Sequence, residues 1–143
     1  MSLCFKYLDL PALPDAVHTE IHNSFLENPN YFKFKEDKLY KIHKANNKLI
    51  EAVKSVIFNP GTISVQLLQD WNPIHVDINR TEAINYLIST GGDDVYTCFY
   101  QNNMLAEKLV IQPFRWHWIN VSIPHNVINL KKNHPRISIT ISY

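Results

Sequence analysis

An α+β fold is predicted for this chain of 143 residues, with helices confined to the first 60 positions and strands filling the rest. Three observations predict it. Apolar residues recur at helical spacing only before residue 60. Short strand-like runs divided by turn residues follow. Asn59-Pro60-Gly61 stands between the two parts as a stop. No repeat or low-complexity linker divides the chain, and a domain of this length buries roughly 70% of its unfolded surface around one core. Residues 1–143 therefore read as a single domain, with a helical part over 1–60 and a β-core over 61–143.

Taken in order, "CFKYLDL" is a candidate additional strand ahead of the first helix. In "PDAVHTEIHNSFLEN", Val17, Ile21 and Phe25 fall four apart, and Asp15 after Pro14 suits a helix N-cap. Leu49 and Val53 repeat that spacing in "KANNKLIEAVKSVI". Eight strands are then predicted, at 62–69, 74–79, 82–90, 95–101, 105–112, 115–122, 125–130 and 135–143. Gly91-Gly92-Asp93-Asp94 and Asn102-Asn103 read as hairpin turns. In the last run, "RISITISY", Ile137, Ile139 and Ile141 share one face, while Arg136, Ser138, Thr140 and Ser142 share the other.

Composition narrows the function. A formal net charge of +1, with no Lys/Arg block longer than two, gives no footprint for nucleic acid or an anionic membrane. No run approaches the roughly 18 apolar residues of a membrane span. The opening "MSLCFKYLDL" does not read as a signal peptide, so a soluble, cytoplasmic protein is expected. Cys4 and Cys98, far apart in sequence, are expected to be free thiols in a reducing compartment. The sequons at Asn79 and Asn120 are read as incidental.

The stretch "PIHVDIN" carries the chemistry. On a strand, His75 and Asp77 project from the same side and Val76 from the other. Such a pair is either hydrogen-bonded or half of a metal site. His125, in "SIPHNVIN" at the start of the seventh predicted strand, supplies the remaining member of a two-histidine, one-carboxylate facial triad. That donor set suits non-haem Fe(II), with coordination positions left open.

The sequence "HVDINRTEAINYLI…TCFY…VSIPHNVIN…RISITIS" resembles the Fe(II)/2-oxoglutarate-dependent oxygenase superfamily. It is most similar to short uncharacterised members related to aspartyl/asparaginyl β-hydroxylases and found in marine bacteriophages. The resemblance covers about residues 62–143, and the first 60 match only in general character. It implies a double-stranded β-helix, or jelly roll, preceded by and packed against the N-terminal helices. It also implies Fe(II) on His75, Asp77 and His125, and a hydroxylase that converts 2-oxoglutarate to succinate and CO2. Arg136 would grip the far carboxylate of the cosubstrate with Ser138 assisting, because a guanidinium matches a carboxylate with two parallel hydrogen bonds. The implied substrate is a small metabolite or a protein Asp, Asn or Pro side chain.

Other residues carry two readings each. Asn85 and Tyr100 either bond the cosubstrate or are satisfied in the core. Arg80 either meets an anionic substrate group at the mouth of the site or is a solvated strand-end arginine. Trp71, Trp116 and Trp118 either line a substrate cleft or belong to the core. His18 and His22, four apart, read as helix-surface residues, since "HTEIH" lacks the glutamate of the zinc-protease motif. His43, His117 and His134 have no partner at a meaningful spacing, and Cys98 reads as a small buried hydrophobe. A cupin-like metal-binding or small-molecule-binding domain without oxygenase activity is the alternative, supported by the His-x-x-x-Asn spacing in "HNVIN". An inactive jelly roll serving as an interaction module, for instance in a virion, is a third.

Overall fold

The computed structural model describes residues 2–27, 33–34, 40–70 and 72–142. In chain order the elements are β1 (Phe5–Tyr7), α1 (Asp15–Glu27), β2 (Lys33–Phe34), β3 (Tyr40–Lys44), α2 (Asn47–Lys54) and β4 (Thr62–Leu68). They continue with β5 (Glu82–Ser89), β6 (Tyr96–Gln101), β7 (Met104–Leu109), β8 (Trp116–Asn120), β9 (His125–Ile128) and β10 (Arg136–Ser142). Among the described residues the strands form two sheets, one ordered β1-β8-β5-β10-β4-β3-β2 and the other β7-β6-β9. Neighbouring strands run antiparallel throughout.

β1 forms in "CFKYLDL", where a strand was a candidate, and the helical part over 1–60 also holds two strands that the spacing did not suggest. β1 pairs with β8, while β2 and β3 extend the larger sheet beyond β4, with Ile42 opposite Gln66. Both helices do form. Asn46 caps α2, its side-chain oxygen accepting the Leu49 amide at 2.9 Å, and Leu49 and Val53 are buried. Asp15 falls inside the first turn of α1 instead of capping it.

The alternation of β10 decides the layering. Ile137, Ile139 and Ile141 are buried with Ile63, Val65 and Leu67 of β4, Tyr86 of β5 and Trp116 of β8, in a cluster that also holds Ile21, Leu49 and Val53 of the helices. Trp116 is therefore core, its indole N–H donating to the Pro11 carbonyl at 3.1 Å. Tyr86 ties down the N-terminal segment, its hydroxyl accepting the Leu13 amide at 3.0 Å and lying 2.6 Å from His18 Nε2. His18 is consequently buried and stacked on Phe114, not on the helix surface as read from spacing, whereas His22 is exposed.

The opposite face of β10 is polar, yet Arg136, Ser138 and Thr140 are also buried. On this face Arg136 reaches across to Thr97 of β6, and Arg80 donates to the Thr140 hydroxyl. A second cluster of Ala83, Ile119, Val121, Phe99 and Cys4 fills part of that space. Cys4 and Cys98 are both free and buried.

The two predicted turns behave differently. Asn102 and Asn103, at φ of 53° and 62°, close the β6–β7 hairpin. Gly91-Gly92 does not close a hairpin, because β5 and β6 lie in different sheets. It carries the chain from one sheet to the other, and at Gly91 (φ +87°) a Cβ would sit 3.3 Å from the His134 carbonyl oxygen.

The predicted strand 74–79 is also corrected. Only His75 pairs, in an isolated antiparallel bridge to His125. The Asp77 amide bonds the Val121 carbonyl at 3.0 Å, before β9 begins, so no ladder propagates. Seven strands and one bridge thus stand where eight strands were expected.

Ile139 is fully buried in the larger cluster. Ile139→Ala is expected to lower stability by about 2–5 kcal/mol, measured as a reduced urea midpoint at unchanged m-value.

Candidate metal centre

His75 and His125 exchange both backbone hydrogen bonds, His75 N to His125 O at 3.0 Å and His125 N to His75 O at 2.9 Å. Directly opposed residues of this kind put their side chains on one face, and the two rings lie 4.4 Å apart between centroids. β6 backs the pair, with Phe99 opposite His125. The buried Asn72 holds β9 from the other side by accepting the Val127 amide at 2.9 Å.

Each imidazole is oriented through its Nδ1. His75 Nδ1 lies 2.7 Å from the Pro73 carbonyl oxygen, and His125 Nδ1 lies 2.8 Å from that of Ile123. A carbonyl only accepts, so both Nδ1 atoms carry the proton and donate it. Nε2 is then left as the ligating atom, the arrangement in which a second hydrogen bond sets tautomer and ring angle. Both Nε2 atoms lie 3.5 Å from Asp77 Oδ1. The ligand atoms of His75, Asp77 and His125 all fall within 4.8 Å of one another, the one such group among the described residues. Two imidazole nitrogens and one carboxylate oxygen converging on a point fit a first-row divalent ion.

The carboxylate is held ionised. Burial pushes the Asp77 carboxyl up, but the neighbouring His125, His75 and Arg80 side chains outweigh it and keep it well below the usual carboxylate range. Arg80 Nε donates to Asp77 Oδ2 at 2.7 Å. An open depression of about 480 Å³ lies beside the carboxylate, lined in part by Asp77, Asn79, Arg80 and Ser122 and by neither histidine.

Deeper between the sheets lie the other polar groups. Arg136 Nη2 donates to Thr97 Oγ1 at 2.9 Å and Nη1 to the Thr90 carbonyl at 3.4 Å. No carboxylate pairs with it among the described residues. Burial pushes its guanidinium down to about 10, so it remains cationic at neutral pH. Ser138 is buried two residues along the same face. Asn85 shares a register row with Thr140 and His117, and its Oδ1 is buried without a hydrogen-bond partner.

Tyr100 is not brought to this group. Its hydroxyl donates to Asn126 Oδ1 at 2.9 Å, and Asn126, adjacent to His125 on a strand, points to the opposite face. Trp71 lies outside the described residues. Sequence reasoning missed Asn72, Thr97 and the Arg80–Asp77 pair; only the last has a sequence trace, the spacing of three in "DINR".

No protein family matches the chain, and no curated protein matches it in sequence. Among solved structures, its fold is similar to that of a prolyl-4-hydroxylase from Pseudomonas putida. The TM-score is 0.59 at 12% identity over 97% of this chain and 91% of that one. Weaker likenesses are to procruciferin, an 11S globulin from Brassica napus (TM-score 0.45, 9% identity, 81% of this chain and 28% of that one), and to an oxalate decarboxylase (0.44, 16%, 82% and 28%). No helix among the described residues is long and apolar enough to cross a membrane.

His117 sits in the Asn85 row, and burial pushes it down from 6.5 to about 4, with the Arg136 charge adding to the shift. The folded chain thus resists a proton that the unfolded chain accepts. The stability held by neutral His117 is complete above pH 6.5 and is lost as pH falls toward 4, by up to about 3 kcal/mol. His117→Gln, which cannot titrate, is expected to show a shallower decline over that window in urea melts at stepped pH.

Proposed function

We propose that this chain is an Fe(II)- and 2-oxoglutarate-dependent dioxygenase on a double-stranded β-helix, hydroxylating a substrate with release of succinate and CO2. The observation that carries the reading is the convergence of His75 Nε2, His125 Nε2 and Asp77 Oδ1, with each imidazole tied back through its Nδ1. These three residues would hold the iron and leave its remaining positions open. Bound there, Fe(II) would activate dioxygen, the oxidant, and 2-oxoglutarate would supply two of the electrons that reduce it as it loses CO2, one oxygen atom passing to succinate and the other to the hydroxylated substrate.

The chain's own residues supply binding and orientation. Arg136 is a buried cation with two neutral hydrogen-bond acceptors and no acidic partner among the described residues. A charge in that position is costly until an anion joins it. A cosubstrate carboxylate is such an anion, with Ser138 beside it and Asn85 adding a polar group in the same inter-sheet space. The open depression at Asp77 admits the substrate, a small metabolite or a protein side chain. The similarity in fold to a prolyl-4-hydroxylase supports the reading. A cupin-like domain without oxygenase activity would use the same triad but would leave Arg136 without a role.

The purified chain supplied with Fe(II) in air is expected to convert 2-oxoglutarate to succinate and CO2 slowly even without substrate, with consumption of dioxygen. Arg136→Met is expected to raise the half-saturating 2-oxoglutarate concentration by about 30-fold or more. The same change should leave the urea midpoint of the ligand-free protein unchanged or higher, since it removes an unpaired buried charge. Turnover unaffected by Arg136→Met would contradict the cosubstrate assignment.

A further inference from the structure

We propose that Arg80 is the positioning residue of the metal centre, holding Asp77 so that Oδ1 alone is presented to the metal; this rests on the metal reading above. Asp77 belongs to no strand, and among the described residues its backbone is tied by the amide bond to the Val121 carbonyl. That bond leaves the carboxylate free to rotate. Arg80 removes the freedom. Its Nε donates to Oδ2 at 2.7 Å, and its Nη1 donates to Thr140 Oγ1 at 2.8 Å and to Ser142 Oγ at 3.1 Å.

The guanidinium thereby fastens a loop carboxylate to β10, the strand that also carries Arg136 and Ser138. Both side chains of the pair are largely buried, 17% and 18% exposed, so the bond is shielded from the solvent screening that weakens surface ion pairs. The consequence is chemical. With Oδ2 occupied, the carboxylate offers one oxygen, the one equidistant at 3.5 Å from both Nε2 atoms. A carboxylate released from Arg80 can offer both oxygens and take a position that the cosubstrate needs. The same geometry engages the Nε and Nη1 donors of Arg80, which also lines the open depression, so the positioning role stands beside the substrate role its place in the sequence suggested.

The test is Co(II) binding to the full chain, followed by calorimetry and by the visible ligand-field spectrum. Arg80→Ala is expected to weaken Co(II) affinity by about 10- to 100-fold, to alter the spectrum as Oδ2 becomes free to coordinate, and to recover affinity when methylguanidinium is added. Arg80→Lys, whose single ammonium cannot reach Asp77, Thr140 and Ser142 at once, is expected to fall between the two. Wild-type affinity and spectrum in either folded variant, or a loss that methylguanidinium does not relieve, overturns the proposal. Failure of the unaltered chain to bind Co(II) overturns the metal reading itself, and the two failures are thereby told apart.

Discussion

The reciprocal backbone pair between His75 and His125 is the constraint on which the site depends. It is a single bridge, not a strand pair, and it joins a loop to the first residue of β9. Because the two residues oppose one another directly, their imidazoles must share a face. Everything else at the centre elaborates that contact. The Pro73 and Ile123 carbonyls set the ring angles, Asn72 secures β9, and the Val121 carbonyl brings Asp77 alongside. Ligands drawn from one loop and one strand are thus placed by backbone hydrogen bonds, with Arg80 fixing the Asp77 carboxylate.

The larger sheet supports this arrangement by separating two chemistries across its thickness. On the helix side, the isoleucines of β10 pack with β4, β5 and the helices in an apolar cluster. On the inner side the same strand carries Arg136, Ser138 and Thr140, buried but polar. Buried polar groups without full complements of partners weaken a fold, and here they gather in the space between the two sheets. Arg136 and the orphan oxygen of Asn85 are the clearest cases. The apolar cluster on the far side offsets that cost.

Much of this was legible in the sequence where the signal is local. The alternation of "RISITISY", the helical spacing of Leu49 and Val53, and the Asn102-Asn103 turn all rest on nearest-neighbour geometry, and each forms as expected. The three candidate ligands were legible because their residue types and order are distinctive, although the strand that was to carry two of them is absent. "PIHVDIN" has a strand's composition, yet its amides find partners in two different segments, which no local pattern encodes. The same reason hid the sheet change at Gly91, the burial of His18 by Tyr86, and the bond from Arg80 to Asp77. Each is a contact between segments distant in sequence or a choice between two partners that sequence spacing leaves equal.

The most direct measurement is an anaerobic titration of the purified chain with Fe(II) and then 2-oxoglutarate, following the visible charge-transfer band of the chelate. The expected result is one iron per chain and a saturable band that disappears in His75→Ala. Iron bound without a band would contradict the oxygenase reading and favour a metal-binding domain. No iron bound at all would contradict the metal centre and leave His75, Asp77 and His125 as a hydrogen-bonded cluster.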